Sequence, residues 1–474
     1  MTFNIQNSLP LLATTVLSIT SAGNIHAETA LNESKPNVIF IFADDLGWGD
    51  LGCYGNQLLK TPNLDRMARS GILFTNFYVA NPVCSPSRTA VMTGQYPARY
   101  GIHTALNSNS EENVKQGMNN YLDNNTTLIT RLFQQNGYKT GHFGKWHLGG
   151  TKDAPLPSDY GIDEYLVTNS PAAKLKGPRH QSSELIIDAA ISFIEKNKNE
   201  NFYVNVWSLV PHAILAPTDE QMKPYEYLGP AGEAKGIFRS AAEIYYGSVT
   251  DLDKHIGRLI NKVEELGLSE KTIIIFSSDN GPEDIHIPNS SHSAIGSPGP
   301  FRGRKRSLYE GGIRVPFIVN WGNNIPKGFI NDVSILGTVD LLPSLCNLAG
   351  ITLPAKYKGD GEDMSQVLKG KTNQRTNPIM WEWRFSQTGY TFNKSPRLAL
   401  RDGKWKFLMN PDGSRIELYD FEKDSQCMEM DNVADQHEEL VKKYSAILKE
   451  FEKSLPKSQV AQGSGSNLYP IPKN

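Results

Sequence analysis

Three short stretches of the chain are rich in apolar residues at successive rather than alternate positions: Val38–Ala43, Thr272–Ser277 and, with Asn205 and Ser208 interposed, Phe202–Leu209. That pattern predicts strands buried on both faces, as in a parallel sheet covered by helices. Between them the periodicity changes. Residues 61–70 and 126–136 read as helices, each followed by a glycine (Gly71, Gly137). Ser182–Lys196 places Leu185, Ile186, Ala189, Ala190 and Phe193 at helical spacing. Ala241–Leu266 carries Ile256, Leu259, Ile260 and Val263 on one face and stops at Gly267. Strands alternating with helices predict an α/β fold, a large mainly parallel sheet flanked by helices.

The texture changes near Asn373. Met380–Arg384, Arg397–Arg401 and Lys404–Met409 are short strand-like runs separated by turn residues such as Asp402-Gly403 and Asp412-Gly413. Gln436–Leu455 reads as a charged amphipathic helix, and the polar stretch from Lys457 as a loosely held tail. The expected division is a leader over 1–27, a catalytic domain over 28–372 and a smaller α+β domain over 373–474. The leader expectation rests on apolar Leu9–Ile19 and on Ile25-His26-Ala27, a cleavable small-residue end, although no Lys or Arg precedes the apolar run. No segment is long enough for a membrane span. An exported protein, periplasmic or secreted, is therefore expected.

Charge narrows the partners. With 48 basic and 50 acidic residues the formal net charge is −2, which argues against a protein that wraps nucleic acid. Four cysteines (Cys53, Cys84, Cys346, Cys427) are too few for a disulfide framework in 474 residues.

Candidate chemistry gathers at strand ends. Asp44-Asp45 closes the first apolar run and Asp279-Asn280 follows the third. In open α/β sheets ligands bind beyond those carboxyl ends. Three carboxylates and an amide oxygen suit Ca²⁺ or Mg²⁺ better than Zn²⁺, which prefers His and Cys. Either pair alone is ordinary turn chemistry. A third feature stands within Asn81–Gly94: Cys84-Ser85-Pro86-Ser87-Arg88. Taken alone it is a loop entering a helix, with Pro86 in the first turn and a cysteine acting as a small hydrophobe.

Together these features resemble the sulfatase family, in which the active-site cysteine is oxidised to formylglycine. The Cys-x-Pro-x-Arg core stands as Cys84, Pro86 and Arg88. The second signature, Gly-Tyr-x-Thr-x-x-x-Gly-Lys-x-His, stands as Gly137-Tyr138-Lys139-Thr140-Gly141-His142-Phe143-Gly144-Lys145-Trp146-His147. The resemblance runs from Lys35 to about Leu440 and implies a four-stranded antiparallel sheet in the C-terminal domain. It implies one Ca²⁺, with Mg²⁺ second, held by Asp44, Asp45, Asp279, Asn280 and the modified Cys84. It implies a maturation enzyme that makes the formylglycine, whose hydrate attacks sulfur and then releases sulfate. By family position, Arg88 would hold the hydrate, Lys145 would bind sulfate and hydrate, and His147 would be the base for sulfate expulsion. His212 and Lys305 would bind sulfate and protonate the leaving oxygen. Arg302, Arg304 and Arg306 match no family position and are expected as surface or substrate-rim charges.

The run Gly299–Gly312 resembles sulfatases acting on galactose or N-acetylgalactosamine sulfates. A sulfated oligosaccharide is the expected substrate, either an algal galactan such as carrageenan or a glycosaminoglycan, from which sulfate is removed in exo fashion. His103, Arg179, His180, His286, His292, Trp383 and Arg384 are candidate sugar contacts. Two alternatives stand beside this reading. One is a phosphonate or phosphodiester hydrolase of the same superfamily, whose members tend to carry His where Asn280 stands. The other is a non-catalytic sulfated-glycan binder with unmodified Cys84.

Overall fold

The structure is a computed structural model and describes residues 35–230, 239–285, 291–385 and 390–456. The expected leader and tail lie outside the described residues. Fourteen strands are described: β1 Asn37–Asp44, β2 Ile72–Phe74, β3 Phe77–Tyr78, β4 Lys139–Lys145, β5 Glu164–Thr168, β6 Phe202–Pro211, β7 Thr272–Ser278, β8 Phe317–Asn320, β9 Phe329–Asn331, β10 Leu336–Gly337, β11 Ile379–Glu382, β12 Leu398–Asp402, β13 Trp405–Met409 and β14 Glu417–Asp420.

The three apolar runs are β1, β6 and β7, adjacent at the centre of an eight-stranded sheet ordered β5-β4-β6-β1-β7-β8-β2-β9. Every residue of β1 and β7 is buried. Successive side chains leave a strand on opposite faces, so apolar residues are needed at successive positions; Asn205 and Ser208 are the buried polar exceptions within β6. Val38, Phe40 and Phe42 join one hydrophobic cluster, and Ile39, Ile41 and Ala43 join the other. Helices Ser182–Lys196 and Ala241–Glu265 cover the second face, through Ile186, Ala190, Phe193, Ile256, Leu259 and Val263. β8 runs antiparallel to both β7 and β2, and the remaining pairs are parallel. The carboxyl ends of β1, β2, β4, β6 and β7 therefore share one edge.

β11–β14 form a separate four-stranded antiparallel sheet. Helix Glu438–Ser454 packs on it through Tyr444, Leu448 and Phe451. Trp381, Leu400 and Phe407 extend the first hydrophobic cluster into this small sheet. All four cysteines are free. Among the described residues no helix is long and apolar enough to cross a membrane.

Candidate active site

Residues distant in sequence converge beyond the edge where β1, β4, β6 and β7 end. Asp44 ends β1 and Asp45 follows it in a left-handed turn (φ 69°). Cys84 opens helix Cys84–Thr93, all ten residues of which are buried, and Arg88 lies one turn on. Lys145 ends β4 and His212 immediately follows β6. Asp279 and Asn280 follow β7. Single ligand atoms of Asp44, Cys84 and Asp279 all lie within 4.8 Å of one another, and so do those of Asp44, Asp45 and His212.

Three protein cations neutralise the three aspartates. Arg88 Nη2 donates to Asp279 Oδ2 at 2.6 Å, and Lys145 Nζ donates to Asp44 Oδ2 at 2.6 Å. Lys305 Nζ donates to Asp45 Oδ1 and Oδ2 at 2.6 and 2.7 Å. Asn280 Nδ2 also reaches Asp45 Oδ1, at 2.7 Å. Burial opposes ionisation of Asp44, but Lys145, His212, Arg88 and Lys305 overcome it and hold the carboxyl well below its usual range. Asp279 goes the other way: burial, and then the charge of Asp44, push it up to about 7.

The donor set fits a hard divalent cation. Asp44 Oδ1 and Asn280 Oδ1 are buried oxygens that accept no hydrogen bond. Such acceptors are costly unless a partner fills them. Oxygen donors of this kind suit Ca²⁺ or Mg²⁺. The Cys84 thiol does not, because thiolate is a soft ligand and burial raises the thiol further.

The second signature is built around one carbonyl. Gly144 sits at φ 114°, and a Cβ there would lie 1.8 Å from the Trp207 carbonyl oxygen, so only glycine fits. His147 is also left-handed, at φ 56°. Between them Lys145 O accepts from Arg88 Nη1 (3.3 Å) and is bonded to His142 Nε2 (3.2 Å). A carbonyl can only accept, so His142 is the Nε2–H tautomer. Burial keeps it neutral, lowering it to about 3. His142 is a residue that motif reading passed over; its signal is a lone imidazole on a strand buried from Thr140 to Lys145. The same logic applies to His147. Its Nε2 faces Leu106 O at 3.1 Å, so Nε2 carries the proton and Nδ1, buried and without a partner, keeps its lone pair. Burial and then Lys145 hold the ring well below the usual histidine range. His212 Nδ1 meets Ala213 O at 2.7 Å and its Nε2 lies 3.9 Å from Asp45.

The arginines beside Lys305 correct an expectation. Arg302 is not a rim charge: it is buried, with its guanidinium 3.8 Å from the centre of the Tyr309 ring and 4.5 Å from that of Phe392. Arg304 is half-buried and donates to Glu283 O and Ala294 O. Arg306 is half-buried and pairs with the Glu283 carboxylate. Partners from remote segments draw these charges inward and hold the Lys305 loop.

The candidate sugar contacts separate. His103, Trp383 and Arg384 are buried near Glu382: Arg384 Nε donates to Glu382 Oε1 (2.6 Å), His103 Nδ1 lies 3.8 Å from Oε2, and Trp383 packs on Phe385. Arg179 Nη2 donates to Leu209 O and to His212 O (2.6 Å), so it braces the end of β6. His180 is half-buried beside it, and its carbonyl accepts from Gln221. His292 lies in the turn Ser291–Ile295, and His286 is outside the described residues.

Residues 36–351 match the family described as Sulfatase. The chain belongs to the sulfatase family. Residues 301–460 of this sulfatase also match the family described as N-sulphoglucosamine sulphohydrolase, C-terminal. It is 31% identical over 402 residues to arylsulfatase A of Homo sapiens, covering 78% of this chain and 74% of that one. It is 27% identical over 540 residues to an N-acetylgalactosamine-6-O-sulfatase of Bacteroides thetaiotaomicron, covering 94% and 98%. Among solved structures it resembles Ps i-CgsB in complex with k-i-k-neocarrahexaose, with TM-score 0.73, 27% identity and coverage of 89% and 92%. The sulfatase is a sulfuric ester hydrolase, with an acidic cluster able to hold a metal ion.

Proposed function

We propose that this sulfatase removes sulfate from a galactose or N-acetylgalactosamine unit of a glycan outside the cytoplasm, through formylglycine made from Cys84 by a maturation enzyme. The observation that carries the reading is the placement of Cys84 within 4.8 Å of Asp44 and Asp279 ligand oxygens, at a buried helix start facing three cations. The aldehyde, as its hydrate, would supply one hydroxyl as the nucleophile that takes sulfate and a second whose deprotonation re-forms the carbonyl and releases sulfate from the first. Asp44, Asp45, Asp279, Asn280 and residue 84 would hold Ca²⁺, which supplies Lewis-acid charge that acidifies a hydroxyl and offsets sulfate charge.

The remaining roles follow from the side chains. Arg88, fixed on Asp279 and on Lys145 O, orients residue 84. Lys145 and Lys305 offer ammonium groups to sulfate oxygens. His147 Nδ1 is the free base positioned to take the proton that drives sulfate out. His212, half-buried at the site's edge with its Nδ1–H held by Ala213 O, protonates the leaving oxygen from Nε2 in its imidazolium form, and Lys305 hydrogen-bonds that oxygen. The sugar assignment draws on the galactosamine-sulfatase relatives and on the carrageenan-oligosaccharide complex.

Two measurements test this reading. Turnover of nitrophenyl sulfate is expected to exceed that of nitrophenyl phosphodiesters; faster diester cleavage would instead select the phosphodiesterase alternative. Desulfation across defined carrageenan and chondroitin oligosaccharides is expected to fall on galacto-configured units. Exclusive action on glucosamine sulfates would overturn the sugar assignment.

A further inference from the structure

A second cavity opens along the same sheet edge, and none of the residues assigned to the chemistry lines it. It encloses ≈440 Å³. Its floor comes from the large sheet: Thr75 and Asn76 follow β2, and Trp48 lies three residues beyond Asp45. Its far wall comes from the small sheet, through Arg401 at the end of β12 and Phe421 just after β14.

Arg401 is the anomaly. It is 6% exposed, and its Nε–H donates to no partner. Its Nη1 reaches only Lys404 O, at 3.5 Å. Among the described residues it makes no ion pair, and its guanidinium lies 4.2 Å from the centre of the Phe421 ring. Arg314, on the opposite side, shows how a resident arginine looks: it donates to Thr75 O at 2.7 Å and to Asn76 Oδ1 at 2.6 Å, and pairs with Glu310 at 3.3 Å. The charges it feels are held elsewhere or stand apart: Glu310 is already paired by Lys406 and Arg314, and Asp332, which also lines the cavity, is exposed and makes no ion pair with it, so Arg401 has no counter-charge in direct contact. A guanidinium presented this way suits sulfate or carboxylate. The walls also match a sugar. Trp48 and Phe301 stand edge to face at 4.9 Å, and the exposed Gln426 supplies an amide at the mouth.

We propose that this cavity is an exosite for an anionic sugar unit, carrying sulfate or carboxylate, of a glycan whose other end is processed at Cys84. The inference rests on the glycan-sulfatase reading. The exosite takes no part in the chemistry; it holds the polymer near the catalytic edge. Tethering raises the effective concentration of the reacting end, so its loss raises KM for polymer by about fivefold or more while sparing small esters.

The test uses full-length mature enzyme and two variants. Gln426→Trp fills the mouth from an exposed position, and Arg401→Gln removes the cation. The probes are hexasaccharides of ι-carrageenan and chondroitin sulfate, with inorganic sulfate as a third. Expected results are saturable shifts of the Arg401 Nε–H and Trp48 Nε1–H NMR signals with a hexasaccharide, abolished in Gln426→Trp. Nitrophenyl sulfate turnover stays unchanged in both variants, and KM for the corresponding polymer rises in both. Signals that respond to neither hexasaccharide overturn the exosite, as does a response to inorganic sulfate alone, which marks an adventitious ion only. Unchanged polymer KM in both variants also overturns it. Absence of nitrophenyl sulfate turnover in the unaltered enzyme would strike the sulfatase chemistry instead, which keeps the two failures apart.

Discussion

Two regions of this protein bury dense charge, and they do so differently. At the catalytic edge, Asp44, Asp45 and Asp279 face Arg88, Lys145 and Lys305, yet Asp44 Oδ1 and Asn280 Oδ1 remain unfilled. At the junction of the two sheets, Lys406 lies 2.8 Å from Glu310 and 3.4 Å from Glu429, with Arg314 also on Glu310. Lys406, Arg314 and Arg401 outweigh the effect of burial on Glu310 and lower it to about 2. One oxygen there, Glu429 Oε1, accepts no hydrogen bond. Its carboxyl is pushed up to about 8 by burial, and Glu310's charge adds to that, so near neutrality it is largely protonated and calls for no cation. Buried charge by itself thus does not mark a metal site. Buried oxygens left unfilled beside an ionised carboxylate, as at Asp44 and Asn280, are the ones able to hold a cation.

The comparison can be broken in several places. The largest effect belongs to the catalytic edge: Asp44→Ala or Asp279→Ala is expected to lower kcat by about 10³-fold, the scale of losing a principal electrostatic group, with an unchanged circular dichroism spectrum. Near-normal rates in either variant would contradict the metal assignment. Lys406→Met should cost about 3 kcal/mol in urea unfolding, because Glu310 loses its buried partner, while kcat measured well below the transition holds. A kcat loss matching that of Asp44→Ala would erase the distinction between the regions. His142→Phe should lower kcat by about tenfold by freeing the Lys145 carbonyl, and His142→Gln, which keeps a donor, should restore most of it. Equal losses in the two variants would reduce His142 to a packing residue.

The smallest effect is a pH dependence. Glu429 has a folded-state pKa raised from 4.5 to about 8. Its contribution is fully present below pH 4.5 and is lost as pH rises through about 8. Tm should therefore fall between pH 5 and pH 9, and Glu429→Gln should flatten that fall. An identical slope in the variant would contradict the protonated carboxyl.

Much of this was legible in the chain because burial on two faces leaves an unbroken apolar run. β1, β6, β7 and helices Ser182–Lys196 and Ala241–Glu265 lie within two residues of their expected bounds. Short elements were not legible: β2, β8 and β9 have three or four residues each, too few for any period, and the antiparallel insertion of β8 between β7 and β2 depends on remote partners. Motif residues could be placed because their spacing is local, as in Cys84 to Arg88. The inward turn of Arg302, Arg304 and Arg306 could not, since their partners come from Glu283, Tyr309, Phe392 and Glu429. Arg401 was invisible for a related reason: an arginine without a carboxylate partner is defined by what is not beside it in space.

The most direct test of the central claim is mass spectrometry of the peptide containing residue 84, taken from active enzyme purified from its native host. The account predicts that the cysteine sulfur is gone and that a carbonyl reactive toward hydrazides stands in its place. An intact Cys84 thiol in fully active enzyme would contradict it.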